Sequence, residues 1–222
     1  MKKRTCLLLL AVLAAFVFTG CKGKDDIYEP VVSGLYVRED GSVVSADVED
    51  FGKSYYDKAE LQKFVEEEVI AYNDAAVSQP YAYAAEDVDE EEMLPVSILS
   101  LSAESGKASL LLNFVKASDY LDFNKDTNAM VTQMSQCTSK EAVENGLSFD
   151  NMKDKDGNAA GADQAKKRKK NFYLTVTVSD KLAEGLPIQV QGTIQFVSKN
   201  VEVTGTNEVK VPAGESAVII YK

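Results

Sequence analysis

The chain of 222 residues contains no histidine and no tryptophan, and only three cysteines. Without histidine, Ser-His-Asp and Cys-His nucleophilic catalysis, histidine general bases and His-bearing zinc sites are all excluded. Without tryptophan, the strongest aromatic platform for sugars and quaternary cations is missing. Cys6 and Cys21 belong to the N-terminal apolar stretch, so Cys137 is alone in the rest of the chain and has no internal disulfide partner. A solitary cysteine of this kind is expected to act as a small buried hydrophobe. Positive charge is also scarce: 24 Lys and Arg face 35 Asp and Glu, a net charge of −11. An acidic surface repels phosphate backbones, so nucleic acid is not an expected partner.

The N-terminus divides into Lys2, Lys3 and Arg4, then thirteen apolar residues, "CLLLLAVLAAFVF", then "TGC". Thirteen residues are too few to cross a bilayer, which takes about 20, but they suit the apolar region of a signal peptide. Residues 17–21, "VFTGC", resemble a bacterial lipobox at Thr19, Gly20 and Cys21, with Phe18 departing from the usual Leu, Val or Ile. The resemblance implies cleavage after residue 20, diacylglyceryl attachment to the Cys21 thiol and a lipid-anchored protein. Residues 1–20 are then the signal peptide and 21–32 a lipidated tether. The remaining residues, 33–222, make one α+β domain, with possible subdomains 33–84 and 93–222. Signal removal takes three basic residues and no acids, leaving 21 Lys and Arg against 35 Asp and Glu, or −14. "KDD" at Lys24–Asp26 resembles the surface-export signal of some Bacteroidota lipoproteins.

The body is expected to combine antiparallel β-hairpins, one long amphipathic helix, short helices and a β-rich C-terminal region. Residues 33–51 form a hairpin turning at Asp40-Gly41. Residues 55–80 form the long helix, capped by Asp57 with Glu60 three residues on, its apolar face made by Leu61, Phe64, Val65, Val69, Tyr72 and Ala76, and stopped by Pro80. Residues 94–116 form a second hairpin turning at Ser105-Gly106, with Val96, Ile98, Leu99 and Leu101 feeding the core. Residues 117–149 are expected to be mostly helical, with caps at Ser118 and Ser139, a C-terminal Gly146, and Met130, Met134 and Cys137 at helical spacing. Strands follow at 171–178, 187–198 with a bulge at Gly192, 201–204, 208–211 and 216–221.

Three polar segments invite chemistry. Residues 86–92 hold six acids, which is the pattern of a solvated loop. Before it, Tyr81 and Tyr83 alternate and can present two rings as a ligand-binding platform. Asp154, Asp156 and Asn158 imitate the start of an EF-hand loop, but Ala159 and Ala165 stand where that loop needs its glycine and its bidentate glutamate, so no metal site follows. Lys166–Lys170, "KKRKK", is a basic run that could meet a phosphate-rich wall polymer, lipid heads or the acidic loop. No cofactor is implied.

Residues 40–73, with "SDYLDFN" at 118–124 and "IIYK" at 219–222, resemble segments of uncharacterised Clostridia-type lipoproteins. The resemblance carries no activity and implies the outer leaflet of a Gram-positive membrane; a Bacteroidota surface is the other compatible location. The expected function is that of a non-enzymatic surface lipoprotein, a binding or envelope-interaction module held to the membrane through its lipid. Its partner would be a cell-wall polymer or a surface protein. The alternatives are a glycosidase-like hydrolase using two carboxylates and a solute-binding lipoprotein.

Overall fold

A computed structural model describes residues 28–85, 93–127 and 129–222. The expectations for residues 1–27 (Cys21 among them) and for the acidic run 86–92 lie outside the described residues. The protein is α+β and rich in strands, with four helices and thirteen strands in two sheets among the described residues. The N-terminal half contributes β1 (Gly34–Val37), β2 (Val43–Asp50), α1 (Lys58–Val77), β3 (Val96–Glu104), β4 (Lys107–Phe114) and α2 (Ala117–Phe123). Then come β5 (Val131–Thr138), α3 (Ser139–Glu144), β6 (Met152–Asp154), β7 (Ala159–Ala160) and α4 (Ala162–Lys166). The chain closes with β8 (Phe172–Val178), β9 (Leu186–Val190), β10 (Ile194–Ser198), β11 (Glu202–Val203), β12 (Glu208–Val211) and β13 (Ser216–Tyr221).

The first sheet has the order β11-β12-β9-β1-β2-β4-β3 and the second β5-β8-β13-β10-β6-β7. The strands alternate, and alternation assigns the layers. Leu35, Val37, Ile188 and Val190 of the first sheet share one buried cluster with Val131, Met134, Leu174, Val176, Ile219 and Tyr221 of the second. Two sheets therefore face each other across a common core, in which each fully buried aliphatic side chain contributes about 1.5–3 kcal/mol. The opposite face of the second sheet is partly covered as well. Tyr173, Phe196 and Ile220 point there and pack with Ala142 of α3, Phe149, Met152 and Ala165 of α4.

Local signals explain the turns and the long helix. Ser105 and Gly106 both have positive φ, 53° and 79°, the pair of values a tight two-residue hairpin turn with the right twist requires. Asp57 caps α1 by accepting from the Ala59 and Glu60 amides at 2.7 and 3.1 Å. The helix ends where Ser78 turns left-handed, two residues before Pro80. Its buried positions are Val65, Val69 and Asn73, while Phe64 is exposed. Asn73 is fully buried and replaces missing strand pairing: its amide nitrogen donates to the carbonyls of Tyr81 (2.7 Å) and Val96 (2.8 Å), and its oxygen accepts from the Val96 amide (3.1 Å).

Several expectations are corrected. Residues 131–138 are a strand, so Met130, Met134 and Cys137 do not form a helical stripe. Only 117–123 and 139–144 of the region 117–149 are helical by this structure. The helix caps fall one or two residues earlier than expected, at Lys116 and Thr138 instead of Ser118 and Ser139. Leu99 is exposed because it directly follows inward-facing Ile98, so strand alternation points it outward; the β3–β4 register shift between Ile98 and Ser100 then sets Leu101 opposite Leu110. Residues 187–198 are two strands in different sheets, with the chain crossing over at Gly192.

That crossing depends on glycine. Gly192 has φ of +118°, and a Cβ there would lie 2.3 Å from the Lys222 carbonyl oxygen, which accepts the Thr193 amide at 2.7 Å. Gly192→Ala is expected to destabilise the fold by roughly 1–3 kcal/mol, read as a lower midpoint in urea unfolding. Asn73→Ala leaves buried backbone groups of Val96 and Tyr81 without partners. It is expected to cost a further, independent ~1–3 kcal/mol and to speed proteolysis around residues 79–85.

Candidate binding surface

The exposed aromatic side chains among the described residues lie on α1 or on the segments that flank it: Tyr55, Tyr56, Phe64, Tyr81 and Tyr83. Exposed Val77, Met93 and Leu99 belong to the same region, at the α1 end and along β3. This is the edge of the first sheet, and its chemistry follows from the chain entering and leaving α1.

At the entry, Phe51 ends β2's run and its amide donates to the Gly106 carbonyl of the neighbouring hairpin turn at 2.7 Å. The chain then doubles back, which stacks the Phe51 ring on Tyr56 with centroids 4.9 Å apart and planes 16° from parallel. Tyr55 meets Tyr56 edge-on at 4.8 Å. The result is three contiguous rings at the surface, with Tyr55 leaving 74% of itself in solvent. The Tyr56 phenol is held above its ordinary pKa, first by the neighbouring Tyr55 and its hydrogen bond and further by Asp50. The sequence signal for this cluster is "DFGKSYYD", residues 50–57, whose aromatic residues frame the helix start; it was legible as a pattern but not as a platform.

At the exit, Ala82 is buried and its carbonyl accepts the Ile98 amide at 2.8 Å. Tyr81 and Tyr83 on either side of it both face outward, Tyr81 with 63% of its surface exposed. The two expected platform residues are both exposed, on a segment that bends at Ala82 and Tyr83. They differ in freedom, because the Tyr83 hydroxyl donates to Glu66 Oε1 of α1 at 2.7 Å. That bond and one from Gln62 hold the Glu66 carboxyl below its usual range. Tyr rings beside carboxylates suit a partner with apolar faces and hydrogen-bond donors, such as a glycan or a basic peptide segment.

The other candidates do not join this surface. Cys137 is half-buried on β5, and burial followed by Glu141 raises its thiol pKa, so it is not an activated thiolate. Asp154 spends its oxygens on its own turn, accepting from the amides of Asp156 (3.0 Å) and Asn158 (2.8 Å) and from the Asn158 side chain (3.2 Å). Among the described residues, no group of three or more Cys, Asp or Glu side chains is placed to hold a metal ion. Two shallow grooves are present. One of about 360 Å³ is lined by Lys153, Lys155, Asp156, Asn200 and Glu202. The other, about 230 Å³, lies on the open face of the second sheet between Gln133, Thr175, Thr177, Ser198 and Ser216.

One carboxylate stands apart. Asp47 follows buried Ser45 on the core-facing side of β2, at the rim where the sandwich opens. Protein crowds one side of its carboxyl and solvent meets the other. Burial, and then the charge of Glu49 two residues on, push its pKa from 3.8 to about 6. The phenols of Tyr28 and Tyr120 are raised by burial first and by the Asp47 charge in addition. Because the folded pKa exceeds the unfolded one, there is no penalty below pH 3.8, where both states hold the proton. Stability is lost as pH rises from there through about 6. Asp47→Asn is therefore expected to raise the melting temperature at pH 7.5 and to make no difference at pH 3.5, in parallel thermal melts; the gain is small because the solvent on the open side screens the charge.

No family model, no curated protein and no solved structure matches the chain.

Proposed function

We propose that the protein is a membrane-anchored cell-surface lipoprotein that works as a non-enzymatic binding module. The lipobox-like "VFTGC" at residues 17–21 supports the anchor, with Cys21 as the lipidated residue. Two or three acyl chains, at about 0.8 kcal/mol for each buried CH₂, hold such a protein durably on a membrane. The observation that carries the binding role is the gathering of exposed Tyr55, Tyr56, Phe64, Tyr81 and Tyr83 around one helix. Solvent-exposed aromatics concentrated on one edge mark an interaction surface more than a fold requirement. The ligand class it suits is a cell-wall polymer or a surface protein.

A carboxylate hydrolase is the second reading, favoured by one observation: Asp47, with its raised pKa, beside Glu49. A general acid needs a pKa of that kind. Asp47, however, sits at an open rim and in neither groove.

The test begins with detergent partition of the protein expressed with its full N-terminus. The wild type is expected in the detergent phase and Cys21→Ala in the aqueous phase, with surface protease removing the domain from intact cells. Both forms staying aqueous would end the lipoprotein reading. For the binding role, Tyr55→Ala combined with Tyr81→Ala is expected to reduce retention on isolated cell envelopes at least tenfold while leaving the thermal melt unchanged.

A further inference from the structure

The basic run Lys166–Lys170 is the least explained feature of the molecule. It occupies the last turn of α4 and the turn that leads into β8, and all five side chains are exposed. None of the five makes an ion pair with another described residue, while Lys63, Lys140, Lys155 and Lys210 each find an acid. The closest engagement is Lys166 Nζ over the Phe149 ring, 6.0 Å from its centroid. Five cations in a row with no ion pair among the described residues, on a chain of net −11, repel one another, and only Lys166 has a ring contact to set against that. Their local chemistry suits a ligand that carries several phosphates.

Two sources of phosphate are available to an anchored protein: the bilayer beneath it and a polymer around it. The fold chooses between them. On β1, Leu35 and Val37 enter the core and Tyr36 faces the other way, where the Tyr28 ring stacks on it at 5.5 Å. The described chain therefore begins on the outer face of the first sheet. On β13, Ile219 and Tyr221 enter the core while Ile220 faces outward and packs in the cluster that holds Ala165 of α4. The basic run therefore lies on the outer face of the second sheet, on the opposite side of the sandwich. Sheets stack about 10 Å apart, and a covering layer on each side brings the separation to roughly 25–30 Å. Seven residue steps, from Cys21 to Tyr28, reach at most about 24 Å at full extension.

We infer that Lys166–Lys170 is a docking surface for a phosphodiester polymer of the cell envelope, facing away from the membrane that holds the protein. The direction of the run rests on the lipid anchor at Cys21; its affinity for phosphate does not. Lysine and arginine would act here as a cluster of charges neutralising successive phosphates, without base or sugar recognition. A stiff, continuous polyanion would run from the patch onto the acidic remainder of the surface, so a flexible polymer is the better fit.

Long-chain inorganic polyphosphate is the probe, with the full protein in detergent. Binding to the wild type is expected to weaken steeply with salt, with a log–log slope of about −3.5 for five contacts to a flexible chain. Neutralising all five positions to Gln is expected to reduce affinity at least tenfold with an unchanged melt, and replacing the four lysines with arginine is expected to preserve it. No binding by the wild type, or equal binding by the Gln variant, would overturn the proposal. So would a drop in the melt of the Gln variant with no polyphosphate binding by the wild type, which would show the run occupied by the chain's own acids at 86–92.

The bilayer alternative is tested on the same protein reconstituted into phosphatidylglycerol vesicles. A water-soluble succinimidyl ester is expected to label the four lysines of the run as fast on vesicles as in detergent. Several-fold protection on vesicles would assign the run to lipid heads and overturn the polymer assignment. A protein that fails to float with the vesicles at all would refute the anchor, while leaving the polyphosphate result to stand or fall by itself.

Discussion

The structure hangs on one parallel pairing. β1 lies between β2, its hairpin partner, and β9, which is more than 140 residues away in sequence, with Leu35 opposite Ile188 and Val37 opposite Val190. Without that contact the first sheet would fall into two pieces, β1-β2-β4-β3 and β11-β12-β9. The two strands meet so closely that a Cβ on Gly34 would lie 2.9 Å from the Pro187 carbonyl oxygen. Pairing across such a sequence separation carries a loop-closure cost that only a large shared core offsets. The core meets that need, since Leu35, Val37, Ile188 and Val190 are themselves among its contributors from this sheet. The segments 33–84 and 93–222 consequently share a sheet as well as a core.

Given that joint, the remaining elements are coverings. α1 lies against β3 at one edge and replaces a missing strand with the three hydrogen bonds of Asn73. α3 and α4 cover half of the second sheet's outer face through Ala142 and Ala165, whose small side chains allow close approach. The other half stays open and is finished with hydroxyls, Ser135 against Thr175 at 2.7 Å and Thr177 against Ser216 at 2.9 Å. The coverings, not the sandwich, carry the surfaces with chemical character: rings and carboxylates at α1, lysines after α4.

How much of this was legible follows from bulges. The α1 helix, the first hairpin and the strands β8, β12 and β13 obey simple periods, and the sequence pattern locates them. β5 does not. Its register against β8 shifts between Val131 and Gln133, so the inward residues Val131 and Met134 stand three apart, a spacing that imitates a helix. In β3 a shift against β4 after Ile98 puts Leu101 opposite Leu110, three residues on, while Leu99 between them points outward. A bulge changes the phase of a strand without leaving a residue signature, and period counting then gives the wrong answer with good statistics. Asn73 carries no sequence signal for another reason: a buried polar residue is indistinguishable from a solvated one until its partners are placed. For the candidate site, Tyr81 and Tyr83 were visible through their alternation. The Phe51, Tyr55 and Tyr56 cluster was not, because it requires the chain to double back at the turn closed by the Tyr56 amide on the Lys53 carbonyl.

The distribution of charge argues that the two surfaces have different partners. The α1 edge joins Tyr rings to Glu66 and follows a helix carrying Glu60, Glu66, Glu67 and Glu68, so an anionic polymer would be repelled there. The run after α4 is cationic and has no exposed ring at its centre, so it lacks the apolar faces that a sugar or a peptide would stack against. Screening over about 8 Å at physiological salt separates the two fields across a sandwich several times thicker. Each surface therefore keeps its own charge character, carboxylates with Tyr rings at the α1 edge and a cationic run after α4.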